Sequence, residues 1–290
     1  MVLFIYLHVN FHIKVCNDLE IYELDDPSKD KLEEICDLRQ PVIFEYMNDN
    51  MLKSCSRQTI QETYGAFEVK IRNLTDVLGN DEELYIPISF TSALSATKED
   101  VDKKYLIEKN DEFLDETAMS KIFKYNDVFI RPPMVSTCIY DISIGCEGVR
   151  TPFRYEVNYR NYFMVTEGDI RIKMAPPKSA KYLYQHADYE NFEFCSQVNP
   201  WDAQKQYRKD FDKIKCLEVV VKKGFIIHIP AYWWYSIEFG KETTVATFKY
   251  RTYMNTVSIL PKILMRMLQT QNVKRRLATV KIDTVEVMKV

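Results

Sequence analysis

The sequence predicts a mainly β fold of the sandwich, barrel or jelly-roll kind. Three observations carry that expectation. From residue 137 onward, short runs rich in β-branched and aromatic residues recur, broken by Gly168, Pro176-Pro177, Gly224, Pro230 and Gly240. Aromatic residues are abundant, with 19 Tyr and 16 Phe. Glycine is scarce at 7 residues, and neither G-x-G-x-x-G nor G-x-x-x-x-G-K-[ST] occurs, which excludes a Gly-rich phosphate loop. A chain of 290 residues, 46% hydrophobic and 28% charged, can bury a real core and is not disordered as a whole. Its net charge of -3, from 39 basic and 42 acidic side chains, supplies no basic field for phosphate contacts, so no nucleic-acid partner is expected.

The elements follow in chain order. Residues 1–15 are expected to be an apolar strand or the stub of an anchor. Val2–Leu7 lacks a basic flank and a cleavage site and is too short to span a bilayer, so membrane contact through residues 2–7 is the lesser alternative. Tyr6–Val15 alternates, with His8, Asn10, His12 and Lys14 on one face; on a strand, His8 and His12 lie too far apart to share a metal without a third ligand. Leu19–Leu24 reads as a strand, and Asp26 or Ser28 caps a helix that follows. Pro41–Tyr46 is a strand, 47–64 is helical, and Ala66–Ile71 and Leu84–Phe90 are strands. Residues 98–126 are charged and helical or irregular. Eight strands then follow at Cys138–Ile144, Phe153–Asn158, Tyr162–Thr166, Ile170–Ala175, Leu217–Val221, Phe225–Ile229, Trp233–Phe239 and Thr243–Tyr250, with a polar insertion at 178–215. Leu260, Ile263, Leu264, Met267 and Leu268 repeat at helical spacing, with Ser258 as cap and Pro261 in the first turn. The expected division is an N-terminal segment (1–15), a main domain (16–256) and a C-terminal helical tail (257–290).

The 7 cysteines are odd in number and form no C-x-x-C pair, which argues against disulfides or structural zinc and for a reducing, cytoplasmic compartment. The 4 histidines are His8, His12, His186 and His228; His186 lies in the polar insertion and is expected to be solvated.

Three stretches, in order, carry a family resemblance. They are Leu38-Arg-Gln-Pro-Val-Ile-Phe44; Gly145-Cys-Glu-Gly-Val-Arg-Thr-Pro-Phe-Arg-Tyr-Glu156, continuing through Asn161 to Gly168 and Met174-Ala-Pro-Pro177; and Val221-Lys-Lys-Gly-Phe-Ile-Ile-His-Ile-Pro-Ala-Tyr-Trp-Trp-Tyr235. Together they resemble the JmjC-type cupin (cupin-like) family of Fe(II)- and 2-oxoglutarate-dependent oxygenases, and within it the asparaginyl hydroxylase of hypoxia-inducible factor. The likeness covers about residues 38–255 and implies a double-stranded β-helix with flanking helices.

The same resemblance puts the activity in question. The family's metal needs two imidazoles and a carboxylate, with open positions for co-substrate and dioxygen. Here the proximal histidine position holds Arg154, the carboxylate position Glu156 and the distal histidine position Tyr235. A guanidinium has no lone pair to offer and stays protonated. The lysine that would pair with 2-oxoglutarate falls on Ile170, with Arg171 and Lys173 on the opposite face. Thr151 and Asn161 match co-substrate positions, and Thr247 stands where the family has an asparagine. His228 is the alternative ligand, though a lone histidine in an apolar strand is more often a hydrogen-bonded core residue. Arg154 and Glu156, two apart on one strand, are expected to face the lumen together, with Glu156 accepting the guanidinium fork and the Tyr235 hydroxyl.

The resemblance therefore implies a catalytically degenerate protein with a structural or protein-interaction role, no metal and no cofactor. Its likeness to cupin-like proteins of large DNA viruses implies a place in a virion or virus factory. One alternative is an oxygenase, a protein hydroxylase or demethylase, using Fe(II) and 2-oxoglutarate at an atypical centre of Glu156, His228 and Tyr235. Another is a small-anion binder that uses Arg154 as clamp. Protein partners are expected, including a homodimer through residues 258–270, with packing of that helix onto its own barrel as the competing arrangement.

Overall fold

A computed structural model describes residues 1–74 and 84–272. The strands are β1 (Tyr22–Leu24), β2 (Val42–Glu45), β3 (Glu68–Asn73), β4 (Tyr85–Ser89), β5 (Tyr105–Ile107), β6 (Val135–Gly145), β7 (Arg154–Tyr155), β8 (Arg160–Glu167), β9 (Asp169–Ala175), β10 (Gln185–Asp188), β11 (Glu193–Ser196), β12 (Leu217–Lys222), β13 (Phe225–His228), β14 (Trp234–Phe239) and β15 (Thr243–Thr252). The helices are α1 (Val2–Ile13), α2 (Lys29–Cys36), α3 (Asp49–Ser54), α4 (Arg57–Tyr64), α5 (Phe90–Glu99), α6 (Asp111–Glu116), α7 (Met119–Asn126), α8 (Lys205–Phe211), α9 (Tyr253–Ser258) and α10 (Leu260–Asn272).

Two sheets face each other. The larger has nine strands in the order β1-β2-β13-β8-β15-β6-β5-β3-β4, and the smaller six in the order β10-β11-β7-β14-β9-β12. Apart from the step from β9 to β12, which stays in the smaller sheet, the inner strands alternate between the sheets as the chain advances: β6, β8, β13 and β15 lie in one, β7, β9, β12 and β14 in the other. That is the winding of a double-stranded β-helix, or jelly roll. Pairing is antiparallel apart from β1 on β2. The β8–β9 turn shows why Gly168 stands there: its φ is +67°, and a Cβ would sit 2.7 Å from the Lys241 carbonyl oxygen.

Alternation along each strand sorts side chains into layers. Phe163, Val165, Ile170, Ile172, Met174, Ile227, Tyr235 and Ile237 fill the lumen between the sheets. Tyr162, Met164, Ile226, Phe248 and Tyr250 point the other way, against the helices that cover the large sheet. Trp233 belongs to the lumen and Trp234 to the outer face of the small sheet, yet both are buried. The insertion explains this: β11 extends the small sheet, and Leu183, Phe194, Tyr207 and Phe211 pack over Trp234.

Several local expectations are corrected. Residues 2–13 form a helix, not a strand. The segment packs against α9, and a helix satisfies its backbone internally. His8 and His12 thereby come one turn apart, and His12 is buried, taking a hydrogen bond from the Thr252 hydroxyl at 3.1 Å while its Nδ1 donates to the His8 carbonyl at 2.8 Å. The region 98–126 contains a strand, β5, as well as helices. Phe153–Asn158 shrinks to the two-residue β7. Ser28 caps α2, accepting from the Lys31 N–H. Ser258 is not the cap of the last helix, since its hydroxyl donates to the Met254 carbonyl; the nearby cap is Thr252, at the start of α9. The part of the expected tail beyond residue 272 lies outside the described residues. Among the described residues no helix is long and apolar enough to cross a membrane.

Candidate functional site

The position at which the resemblance places a metal lies where β7 and β14 pair, with Arg154 opposite Tyr235. The Arg154 guanidinium lies 5.8 Å from the Tyr235 ring centroid. Its partner is Glu108, just past β5, and not Glu156 as the sequence suggested. Arg154 donates Nη1 to Glu108 Oε1 at 3.1 Å and Nη2 to Oε2 at 2.7 Å. The reason lies in the backbone: β7 ends at Tyr155, so strand alternation no longer fixes Glu156 beside Arg154.

Glu108 is 1% exposed and serves two cations. Arg72, fully buried on β3, donates Nη1 to Glu108 Oε1 at 2.8 Å and to Glu193 Oε1 at 3.0 Å. Glu193, on β11, also accepts from Lys109 Nζ and the Tyr85 hydroxyl, each at 2.6 Å. Burial alone would push the Glu108 carboxyl up, but the Arg154 and Arg72 guanidiniums outweigh it and hold the group below the ordinary carboxylate range. Glu193 is depressed in the same way by Arg72 and Lys109 against its burial.

Glu156 has a separate set of donors. Lys249 Nζ donates to Oε1 at 2.7 Å, the Tyr235 hydroxyl to the same oxygen at 3.2 Å, and Asn158 Nδ2 to Oε2 at 3.3 Å. Burial opposes ionisation here too, and Lys249 with Arg154 overcomes it, leaving the carboxyl below its usual value. Burial raises the Tyr235 phenol further above its already high range, so it remains a hydrogen-bond donor. Close by, Asp141 accepts the Asn110 and Lys109 N–H groups, and burial pushes it up to about 6.

The other predicted positions are spent on structure. Thr151 Oγ1 accepts the Ile237 N–H at 2.9 Å. Asn161 donates Nδ2 to the Ile229 carbonyl at 3.1 Å and accepts from Asn158. Ile170 is fully buried in the apolar lumen, while Arg171 and Lys173 face outward to Glu238 and Glu218. Thr247 is buried opposite Phe163. His228 does not approach Glu156 or Tyr235: it lies on the far face of β13, 5.1 Å from the Tyr162 ring. It is buried as expected, but neither ring nitrogen has a hydrogen-bond partner among the described residues. Burial, reinforced by Arg160 and Arg39, keeps it neutral.

These residues do not fit Fe(II). One ligand position is a guanidinium engaged by a carboxylate, another is a phenol, and the remaining carboxylate is held by an ammonium. No grouping of three or more His, Cys, Asp or Glu side chains suited to a metal occurs among the described residues. The slot beside position 170 is closed by apolar packing.

Sequence reasoning found Arg154, Glu156 and Tyr235 but missed Glu108, Arg72, Glu193, Lys109 and Lys249. Lys249 was within reach, since it follows Thr247 by two on the same strand and must share its face. Glu108 sits in a charged stretch read as helical or irregular, and Glu193 in an insertion with no recognisable pattern.

The eight inner strands and the site at the β7–β14 pairing define a double-stranded β-helix protein of the cupin class. Residues 28–253 match the family model of the cupin-like domain, and the chain belongs to that family.

Proposed function

We propose that this is a catalytically degenerate cupin-like protein whose role is structural or protein-interacting. The observation that carries the reading is the pair of ionic links at the inherited metal position, Arg154 to Glu108 and Lys249 to Glu156. Covalently attached cations take the place that a metal dication would need, and each is matched to a buried carboxylate. The test is metal analysis of protein purified without chelator, together with succinate release from 2-oxoglutarate. Neither stoichiometric iron nor turnover is expected. Iron with succinate release would overturn the reading and restore the oxygenase suggested by the likeness to the asparaginyl hydroxylase.

The interacting surface in this reading is α10. Ile263 packs inward, while Leu260, Leu264, Met267 and Leu268 are about half exposed or more. A second copy is the occupant favoured here, because the face carries a run of apolar side chains that a twofold axis would pair with itself. A place in a viral particle is supported by the resemblance and by the Gly-poor, Tyr-rich composition.

A further inference from the structure

Arg154 is not available as the anion clamp that the sequence suggested, because Glu108 fills its fork. A different feature has no part in the ionic network, the start of α1. The helix is anchored by its last turn. His12 meets the Thr252 hydroxyl at 3.1 Å and the Tyr159 ring at 5.1 Å, and Arg39 donates Nη2 to the Phe11 carbonyl at 3.4 Å. The first two turns stand in solvent. Every residue from Met1 to Leu7 is exposed, from 42% at Ile5 to 100% at Met1, and all seven are apolar or aromatic. At about 3.6 residues per turn, seven consecutive side chains go round the whole helix. No polar face is left to turn toward water. A groove on a protein partner covers one face of a helix and suits an amphipathic one. Lipid covers every face.

Length and charge agree with lipid. Twelve residues at about 1.5 Å each make about 18 Å, against a hydrocarbon core of about 30 Å, so α1 can lodge in one leaflet without crossing. Polarity rises along the helix: Met1–Leu7 is followed by His8 and Asn10, then by the exposed Lys14 just past its end. Residues 1–17 contain no Asp or Glu. At the base of α1 the Arg39 guanidinium lies 5.0 Å from the Phe11 ring centroid. Asp37, whose charge reaches His12, is taken by Arg160 at 2.5 Å. An apolar helix with basic charge at its base is complementary to a surface with an acyl interior and anionic headgroups.

We propose that α1 docks the protein on an anionic lipid surface. Its first two turns enter the acyl boundary, Tyr6 lies at the interface, and Lys14 meets the headgroups. The apolar stripe of α10 is a separate surface and keeps its reading as a contact with a second copy.

The test is co-sedimentation of the full chain with vesicles of phosphatidylcholine, with and without phosphatidylserine. Wild type is expected to bind both, and the anionic vesicles more tightly. Leu3→Glu with Phe4→Glu, at side chains more than half exposed, is expected to weaken binding to either at least about tenfold and to leave Tm unchanged. Lys14→Gln should weaken binding to the anionic vesicles about fivefold and leave the neutral ones unchanged. Val220→Glu, at another exposed apolar position on β12, should change neither. No binding of wild type to anionic vesicles at about 1 mM lipid would overturn the proposal. Equal binding by wild type and the double α1 variant would overturn it as well. If the double variant instead turned a dimer into a monomer in the absence of vesicles, α1 would be a contact between copies and the lipid assignment would fall.

Discussion

Replacing Glu108 by Gln tests the ionic network most directly. The carboxylate accepts three hydrogen bonds, at 2.8 Å from Arg72 and at 3.1 and 2.7 Å from Arg154. Arg72 keeps Glu193, but Arg154 has no other carboxylate partner among the described residues. The amide turns one acceptor into a donor facing a guanidinium. Removing one member of a buried pair costs about 3–5 kcal/mol, because the other charge stays buried and unmatched. With an unfolding entropy of about 2.1 cal/mol/K per residue, that corresponds to a fall in Tm of roughly 5–8 °C for 290 residues. Urea denaturation of the cycle wild type, Arg154→Leu, Glu108→Leu and the double variant isolates the pairing. The double variant is expected to be more stable than Glu108→Leu alone, with a coupling of about 1.5 kcal/mol or more, since one charge of each sign leaves together. The parallel cycle with Glu156→Leu should show weaker coupling than the Glu108 cycle, because Lys249 makes the hydrogen bond to Glu156 and Arg154 acts on it only through its charge. Strong coupling of Arg154 to Glu156, and none to Glu108, would refute the assignment.

Two further outcomes follow from the packing. His228 is buried and neutral, its pKa lowered by burial and by Arg160 and Arg39, so below pH 6.5 the unfolded chain takes up a proton that the folded chain refuses. Its contribution is present above that pH and lost below it by up to about 1.4 kcal/mol per unit; stability measured from pH 7 to 5 should fall less steeply in His228→Leu, and identical slopes would show that His228 titrates normally. On α10, Leu264 is 50% exposed: the wild type is expected to sediment as a dimer and Leu264→Glu as a monomer with unchanged Tm, whereas a monomeric wild type would end the self-association reading.

The architecture was legible because strand alternation and turn residues are local signals. Phe225–His228 and Trp234–Phe239 fall almost where their patterns place them. The N-terminal helix was not, because a largely apolar segment whose polar residues His8, Asn10 and His12 recur at every second position fits a strand period too. At the site, strand neighbours were readable and non-local partners were not. Tyr235 reaches Glu156 through the β7–β14 pairing that the motifs implied. Glu108 lies 46 residues before Arg154 in sequence, and no spacing rule links them.

The network also bears on what the loss of histidines means. Were position 154 merely vacated, an imidazole there and another at 235 would restore the ligand set. In this chain they would not. Removing the Arg154 fork would leave Glu108 buried with Arg72 as its one remaining cation among the described residues, while Glu156 would lose the Tyr235 hydroxyl but keep Lys249 on Oε1. A metal would then have to displace an ammonium from its carboxylate and sit beside a second buried carboxylate, Glu108. Arg72, Glu193 and Lys109 extend the pairing from β3 to β11, so the charges at the old centre are tied to residues distant in sequence and already satisfied. In the degenerate reading, the absence of imidazoles at 154 and 235 goes with ionic pairing at 72, 108, 193 and 249. The centre is an ionic cross-link between the two sheets, at the positions where the resemblance places a metal.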